Sequence, residues 1–115
     1  MPDVEPLIRV QEESYVRADS GLRGSWPSES AMDAGELATI LDEHCYCVLA
    51  TATPQGRAQA RPVAFTVFAG AFWFATVTGA RLRNIERNPW ASVVVAEGEG
   101  DSHRAVAADG PVRVG

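Results

Sequence analysis

One segment of the chain combines the residue types that bind a phosphate group. The run Thr76-Val-Thr-Gly-Ala-Arg-Leu-Arg83 places hydroxyl residues and a glycine just before two arginines. If a strand ends and a helix begins there, backbone N–H groups, hydroxyls and guanidinium groups lie together. Residues two apart on a helix differ by about 200°, so Arg81 and Arg83 converge only if Arg81 precedes the regular helix. A solvated arginine surface paired with Glu86 fits the same spacing, and both interpretations stay open here.

A second set of candidates lies on the run that follows the turn Thr53–Gly56. One face of this predicted strand holds three polar and then three apolar residues: Arg57, Gln59, Arg61, Val63, Phe65 and Val67. Such a face can run from a ligand mouth into a packed interior, and a strand that simply leaves the core has the same pattern. Pro62 within the run predicts an edge or a bulge, because proline lacks the N–H that a sheet ladder needs.

Metal and acid–base chemistry have weaker support. His44-Cys-Tyr-Cys47 lacks the second ligand pair of a structural zinc site, and the two cysteines are interpreted as small buried residues. His103 and Arg104 fit either a ligand contact or a plain strand surface. We recognise no catalytic residue and no metal ligand set in the sequence. The chain is therefore either no enzyme or one in which a cofactor carries the chemistry.

Short strands with hairpin spacing must position these residues. The apolar pattern predicts helices over Ala34–His44, with Asp33 as its N-cap, and over Arg81–Asn88. The predicted strands are Tyr46–Ala52, Arg57–Phe68, Ala71–Val77, Trp90–Glu97, His103–Ala108 and Pro111–Val114, the last two joined by an Asp109-Gly110 turn. The fold class is therefore mainly β (α+β), with six antiparallel strands closed or half-closed as a barrel. One helix precedes the sheet and one lies between the third and fourth strands.

Charge separates the chain into two parts. All ten basic residues are arginine, and the formal net charge is −5. Residues 1–43 carry −7 and residues 44–115 carry +2, so a discrete anionic ligand is favoured and a general nucleic-acid partner is not. Residues 1–30 are predicted to form an acidic arm and linker, in which Trp26 can pack on the domain or on a partner.

Cellular context follows from two further observations. No apolar run approaches the roughly 18 residues of a membrane span, so no membrane association is expected. Two cysteines and an acidic N-terminus without a signal peptide favour the cytoplasm. The last strand stops at Gly115 without a partner, and we expect the natural domain to continue beyond it.

Five segments together carry a resemblance, through their order and spacing over some seventy residues. They are Leu49-Ala-Thr-Ala-Thr-Pro-Gln-Gly56, Ala60-Arg-Pro-Val63, Phe72-Trp-Phe-Ala-Thr76, Ala80-Arg-Leu-Arg-Asn-Ile-Glu-Arg-Asn-Pro89 and Ala91-Ser-Val-Val-Val95. The region from Leu41 to Gly115 resembles the pyridoxamine 5′-phosphate oxidase-like, FMN-binding split β-barrel family. The resemblance implies that residues 31–115 form an FMN-binding split-barrel domain.

The resemblance also implies a homodimer that holds two flavins at the subunit interface. In such a dimer, Arg61 and the backbone of Pro62, Val63 and Ala64 match the strand that borders the flavin ring and the ribityl chain.

Other contacts carried over from the family concern the next strand and the helix. Ala75 and Thr76 match contacts of the next strand. Arg81 stands at the family's basic phosphate-binding position, and Arg83 matches a second phosphate contact. Arg104 lies where the partner subunit's strand reaches the cofactor.

Departures from the family keep three hypotheses open. True pyridoxamine phosphate oxidases use C-terminal substrate residues that this chain stops before, and the helix-start motif is closer to a branch with members that use deazaflavin. The first hypothesis is a flavin-dependent (FMN or deazaflavin) oxidoreductase that transfers hydride to or from a small organic substrate. The second is a non-catalytic flavin store, haem-binding or regulatory dimer, and the third is an interaction domain whose arginines are only solvated.

Overall fold

The structure, a computed structural model, describes residues 3–18, residue 21 and residues 28–115. Trp26 lies outside the described residues. Within them the helices are α1 (Glu5–Arg17), α2 (Ala34–Glu43) and α3 (Ala80–Arg87). The strands are β1 (Tyr46–Ala52), β2 (Ala58–Phe68), β3 (Ala71–Phe74), β4 (Trp90–Glu97) and β5 (Arg104–Pro111).

The strands form one sheet in the order β3-β2-β1-β4-β5. The registers of β1 with β2, of β1 with β4 and of β4 with β5 are all antiparallel. Because this order is linear, β3 and β5 are the two edges of the sheet in the described part of the chain. The predicted α+β class with a mainly antiparallel sheet is confirmed.

The prediction of six strands is wrong. Asp109 and Gly110 do not form a turn: they continue β5 and pair with Ser92 and Ala91 of β4. A two-residue Asp-Gly turn needs positive φ angles, whereas Gly110 is not among the residues with positive φ. The predicted fifth and sixth strands therefore become one strand of eight residues.

The helices differ from their predicted bounds in each case. Asp33 does cap α2, since its Oδ1 accepts a hydrogen bond of 2.8 Å from the Glu36 N–H, but the helix ends at Glu43. The helix predicted over Arg81–Asn88 begins and ends one residue earlier, at Ala80 and Arg87. In the predicted arm, α1 is a helix of 13 residues.

The chain divides into two compact units, of which the first contains residues 1–43 and 67–72. In this unit Val4 and Ile40 are buried. Gly70 has a φ of +72°, and a Cβ there would lie 2.8 Å from Cγ of Pro6 in α1. The helix of the predicted arm thus contacts the turn that joins β2 to β3, which only glycine fits without strain. The division into an arm, residues 1–30, and a domain, residues 31–115, stays a prediction.

The second unit contains residues 44–66 and 73–115 and includes every predicted cofactor-binding residue. Its core lies on one face of the sheet, where Leu49 and Val93 are buried and paired across β1 and β4. Ile85 of α3 is buried as well. Val48 and Val94, the next pair along the same two strands, are exposed on the opposite face. In the described part of the chain, no helix has both the length and the apolar composition that crossing a bilayer requires.

Candidate functional site

Arg81 and Thr76 are in contact at the beginning of α3. Nε of Arg81 donates a hydrogen bond of 3.2 Å to Oγ1 of Thr76, which lies just beyond the end of β3. The Thr76 hydroxyl in turn donates to the carbonyl of Val77 over 3.3 Å. With Nε engaged, the two terminal nitrogens of Arg81 remain as a fork of donors for a planar or tetrahedral anion. Thr76 therefore orients the guanidinium group of Arg81.

No side chain in the described part of the chain caps the N-terminus of α3. Gly79 occupies the N-cap position, and the first helical hydrogen bond runs from the Arg83 N–H to the Gly79 carbonyl over 3.1 Å. The backbone N–H groups of the first turn therefore have no partner within the helix, and the helix dipole adds partial positive charge there. A Cβ on Gly79 would meet no atom within 4 Å, so the approach to these N–H groups is open.

Arg83 does not join Arg81. Because α3 begins at Ala80, both arginines lie inside the regular helix, and the condition under which they would converge on one ligand is not met. Arg81 is half-buried, whereas Arg83 is exposed. Neither is ion-paired with Glu86 in the part of the chain that the structure describes, where Arg104–Glu97 is the ion pair found. Arg83 as a second phosphate contact stays a prediction.

Strand β2 lies inside the sheet, but its side away from β1 is an edge near Pro62, as predicted. The Phe65 N–H donates to the Cys45 carbonyl over 3.0 Å, so alternate residues of β2 point their backbone groups towards β1. Ala60, Pro62 and Ala64 then point theirs away from β1.

Strand β3 leaves this side of β2 open. It has four residues and directly follows the turn after β2, so it covers only the C-terminal part of the eleven-residue β2. Among the described residues, the missing N–H of Pro62 therefore interrupts no ladder, and the backbone groups of Ala60 and Ala64 lie at an open edge.

The other residues of this region that were predicted to contact a cofactor differ in their exposure. Arg61 is exposed, and its Nη1 donates to the Ala60 carbonyl over 2.8 Å, at the open edge. The side chain of Val63 is buried, so only its backbone is available to a ligand. Ala64 and Ala75 are exposed.

Arg104 is already engaged by a carboxylate. Its Nη2 lies 3.3 Å from Oε1 of Glu97, its direct cross-strand partner between β5 and β4. The side chains are 39% and 29% exposed, respectively, so the pair is partly screened by solvent. A role of Arg104 in reaching a cofactor stays a prediction, and it requires competition with Glu97.

A buried polar cluster was not anticipated from the sequence. Nδ2 of Asn84, a residue of α3 that is only 4% exposed, donates to Oγ1 of Thr51 over 3.2 Å and to Oε1 of Gln59 over 2.8 Å. Thr51 and Gln59 are direct partners in the register of β1 and β2. The available signal was the position of Asn84 next to Ile85, on the apolar side of the helix.

The cysteine and histidine residues do not form a cluster. Cys47 is buried, and this desolvation raises the pKa of its thiol. Cys45 lies just before β1 and is exposed, so the prediction that both cysteines are buried is wrong. Among the described residues, no three His, Cys, Asp or Glu side chains are grouped so as to hold a metal ion. His103 is exposed, just before β5.

The family assignment rests on most of the chain. The sequence model described as pyridoxamine 5′-phosphate oxidase matches residues 34–114, which include β1 to β5, α3 and every candidate residue. The chain belongs to the pyridoxamine 5′-phosphate oxidase family. The resemblance of the five segments is thereby confirmed. A search of curated proteins finds no match.

Solved structures share the fold of this family member. The conserved hypothetical protein Rv2991 from Mycobacterium tuberculosis has a TM-score of 0.67 and 23% identity, over 73% of this chain and 54% of its own. HutZ, the haem storage protein from Vibrio cholerae, has a TM-score of 0.56 and 22% identity, over 65% of this chain and 57% of its own. A haem-binding protein from Mycobacterium smegmatis has a TM-score of 0.55 and 23% identity, over 70% of this chain and 36% of its own. The chain thus spans little more than half the length of these proteins, or less.

The donor set of this family member fits the phosphate of a flavin mononucleotide. The backbone N–H groups at the start of α3 and the oriented guanidinium of Arg81 supply the donors. The open space at Gly79 lets a ligand reach them. The open edge of β2 offers the alternating N–H and C=O groups that the polar rim of a flavin ring requires. The described residues therefore fit the cofactor that the family implies.

Proposed function

We propose that this chain binds FMN and acts as a flavin-dependent oxidoreductase on a small organic substrate. The observation that carries the proposal is the hydrogen bond between Arg81 and Thr76 at the uncapped start of α3. It holds a guanidinium group beside free backbone N–H groups, which is the arrangement that binds a phosphate monoester.

In this proposal, the phosphate of FMN receives hydrogen bonds from the first turn of α3 and from the terminal nitrogens of Arg81. The flavin ring lies along the open edge of β2, where the N–H and the carbonyl of Ala64 are available and the Ala60 carbonyl already accepts a hydrogen bond from Arg61. Bound FMN supplies hydride transfer. The residues of the chain hold and orient the cofactor, and no acid, base or nucleophile among them is assigned to the reaction.

A homodimer is part of the same proposal. The face of the sheet opposite the core, here called the outer sheet face, carries the exposed apolar residues Tyr46, Val48, Pro62, Ala64, Trp90, Val94, Ala107 and Pro111, and the pair Ser92 and Asp109 lies between the last two pairs on the same face. Its large side chains are 38–67% exposed, and apolar patches of this kind on a sheet mark association surfaces. A second copy on this face would lie next to the open edge, because Pro62 and Ala64 belong to both.

Two other cofactors are alternatives on the same fold. A deazaflavin that carries a phosphate would fit the same donors at α3. A non-catalytic haem-binding role has its support in two of the solved structures, whose names describe haem binding or storage. His103, exposed before β5, would be the candidate iron ligand for that role.

The absorption spectrum of the protein purified from cells, with the released chromophore identified by mass, tests this proposal. An oxidised-flavin spectrum that disappears on addition of a reductant supports FMN as the cofactor. A haem Soret band that His103→Ala abolishes would replace it with the haem alternative. A colourless protein that acquires no flavin spectrum on incubation with FMN would contradict it.

A further inference from the structure

The amide of Asn84 makes more contacts than a buried helix side chain needs for packing. Both hydrogens of Nδ2 are used, one towards Thr51 and one towards Gln59. These residues lie in two different strands, 33 and 25 positions away in sequence. Because they are direct partners in the β1–β2 register, one side chain of α3 is joined to a single cross-strand pair.

Hydrogen bonds of this kind restrict the rotation of a helix about its axis and its sliding along that axis, which apolar packing restricts only weakly. The contact of Ile85 with the core is non-directional, so a helix held by it alone can rotate or slide by a fraction of a turn at small cost. Two hydrogen bonds with defined lengths and directions restrict both movements. Asn84 therefore sets the rotation of α3 about its axis and its position along that axis.

The fixed point lies next to the phosphate donors. Arg81 precedes Asn84 by three residues, so it lies one turn nearer the N-terminus on the same side of the helix, about 4.5 Å away along the axis. A shift of α3 at Asn84 moves the free N–H groups of the first turn and the guanidinium of Arg81 together. We propose that Asn84 is the positioning residue that places the phosphate-binding end of α3 against β1 and β2. This inference rests on the proposed function.

Gln59 gains a defined orientation from the same contact. Its Oε1 accepts from Asn84, so its Nε2 remains a donor, on the strand face that also carries Arg57 and Arg61. This end of β2 therefore presents donors rather than acceptors, in keeping with an anionic ligand. Asn84 thus sets which amide atom of the half-buried Gln59 faces outward, as well as the position of the helix.

The test compares the affinities for FMN and riboflavin, which differ only in the phosphate. Asn84→Leu keeps the volume and removes both hydrogen bonds, and Thr51→Val removes one acceptor with little change of shape. Asn88→Leu, an exposed asparagine one turn later, is the matched control. Each variant is first shown to be folded by circular dichroism and thermal unfolding, and backbone amide shifts of α3 are recorded without ligand.

We expect Asn84→Leu to weaken FMN about tenfold and Thr51→Val about threefold, while the affinity for riboflavin stays within about twofold. The amide shifts of residues 80–83 should move in Asn84→Leu and stay in place in Asn88→Leu. An unchanged preference for FMN over riboflavin in Asn84→Leu, or an equal loss for both ligands, would overturn the positioning role.

Failure of the proposed function has a different signature. A wild-type protein that does not prefer FMN to riboflavin would contradict a phosphate site at α3, whatever the variants do. The ligand-free amide shifts then decide the placement by Asn84 independently: shifts that move in both Asn84→Leu and Thr51→Val support it, and shifts that stay in place overturn it.

Discussion

The guanidinium of Arg81 is held by the hydroxyl of Thr76, through a 3.2 Å hydrogen bond from Nε to Oγ1. Thr76 lies in the loop after β3, and Arg81 is the second residue of α3. Their contact leaves the terminal nitrogens of Arg81 as donors at a helix start that no described side chain caps. This arrangement of donors is the basis of the anion site that we propose between β3 and α3.

Removal of the Arg81 guanidinium should weaken FMN binding more than any other single arginine change in α3. We expect Arg81→Ala to cost about 1–3 kcal/mol of binding free energy, the usual value of charge-assisted hydrogen bonds. Arg83→Ala should cost less, because Arg83 is exposed and points to a different side of the helix. Arg87→Ala, in the last turn, is the control and should have no effect. Flavin fluorescence titration measures all three, and equal losses would contradict this assignment.

The pair between Glu97 and Arg104 gives a prediction about the last strand. Glu97→Gln removes the charge that holds Arg104, and because both side chains are partly exposed the cost in stability should be about 0.2–1 kcal/mol. If Arg104 reaches the cofactor, its release should leave FMN affinity unchanged or raise it. A marked loss of affinity in Glu97→Gln, with the protein still folded, would show that the pair itself is needed. Chemical denaturation and FMN titration are the measurements.

The outer sheet face predicts the assembly state. A charge at its centre, as in Val94→Asp, must be desolvated without a partner if a second copy covers it, so the variant should dissociate. Val114→Asp places the same charge at a residue that is exposed but outside the face, and it should leave the assembly intact. Sedimentation velocity distinguishes the two variants. A wild-type protein that sediments as a monomer would contradict the dimer.

The two cysteines should differ in reactivity towards a thiol reagent. Burial raises the pKa of Cys47, so at any pH below that raised value it has less thiolate than an ordinary cysteine. Exposed Cys45 should therefore be labelled first at mildly alkaline pH, and Cys47 should react slowly until the pH rises further or the protein unfolds. Peptide mapping after timed alkylation follows both sites. Equal labelling rates in the folded protein would contradict the burial of Cys47.

The sequence was sufficient where local signals agree. Strands β1 and β4 have the bounds predicted for them, because each is a short, mainly apolar run that ends at turn residues or at proline. The turn predicted at Asp109-Gly110 is absent because cross-strand pairing with β4 overrides the preference of these two residues for a turn. The phosphate-binding role of Thr76 to Arg83 stays a prediction, and it could be made from the sequence because these residues are neighbours in the chain.

The parts that were not predictable depend on distant residues. The contacts of Asn84 with Thr51 and Gln59 cross 33 and 25 positions, and no periodicity reveals such a pair. The engagement of Arg104 by Glu97 likewise follows only from the register of β4 and β5. The direction of Arg83 depended on whether α3 begins before or after Arg81, a difference of one or two residues.

The most direct test of the phosphate site is a parallel titration of the wild-type protein with FMN and riboflavin, followed by flavin fluorescence. Both ligands have the same ring, so the difference in their affinities measures the contribution of the phosphate donors at α3. We predict that FMN binds at least about tenfold more tightly than riboflavin, the difference expected from one or more charge-assisted hydrogen bonds. Equal affinities, or no binding of either ligand, would contradict the account.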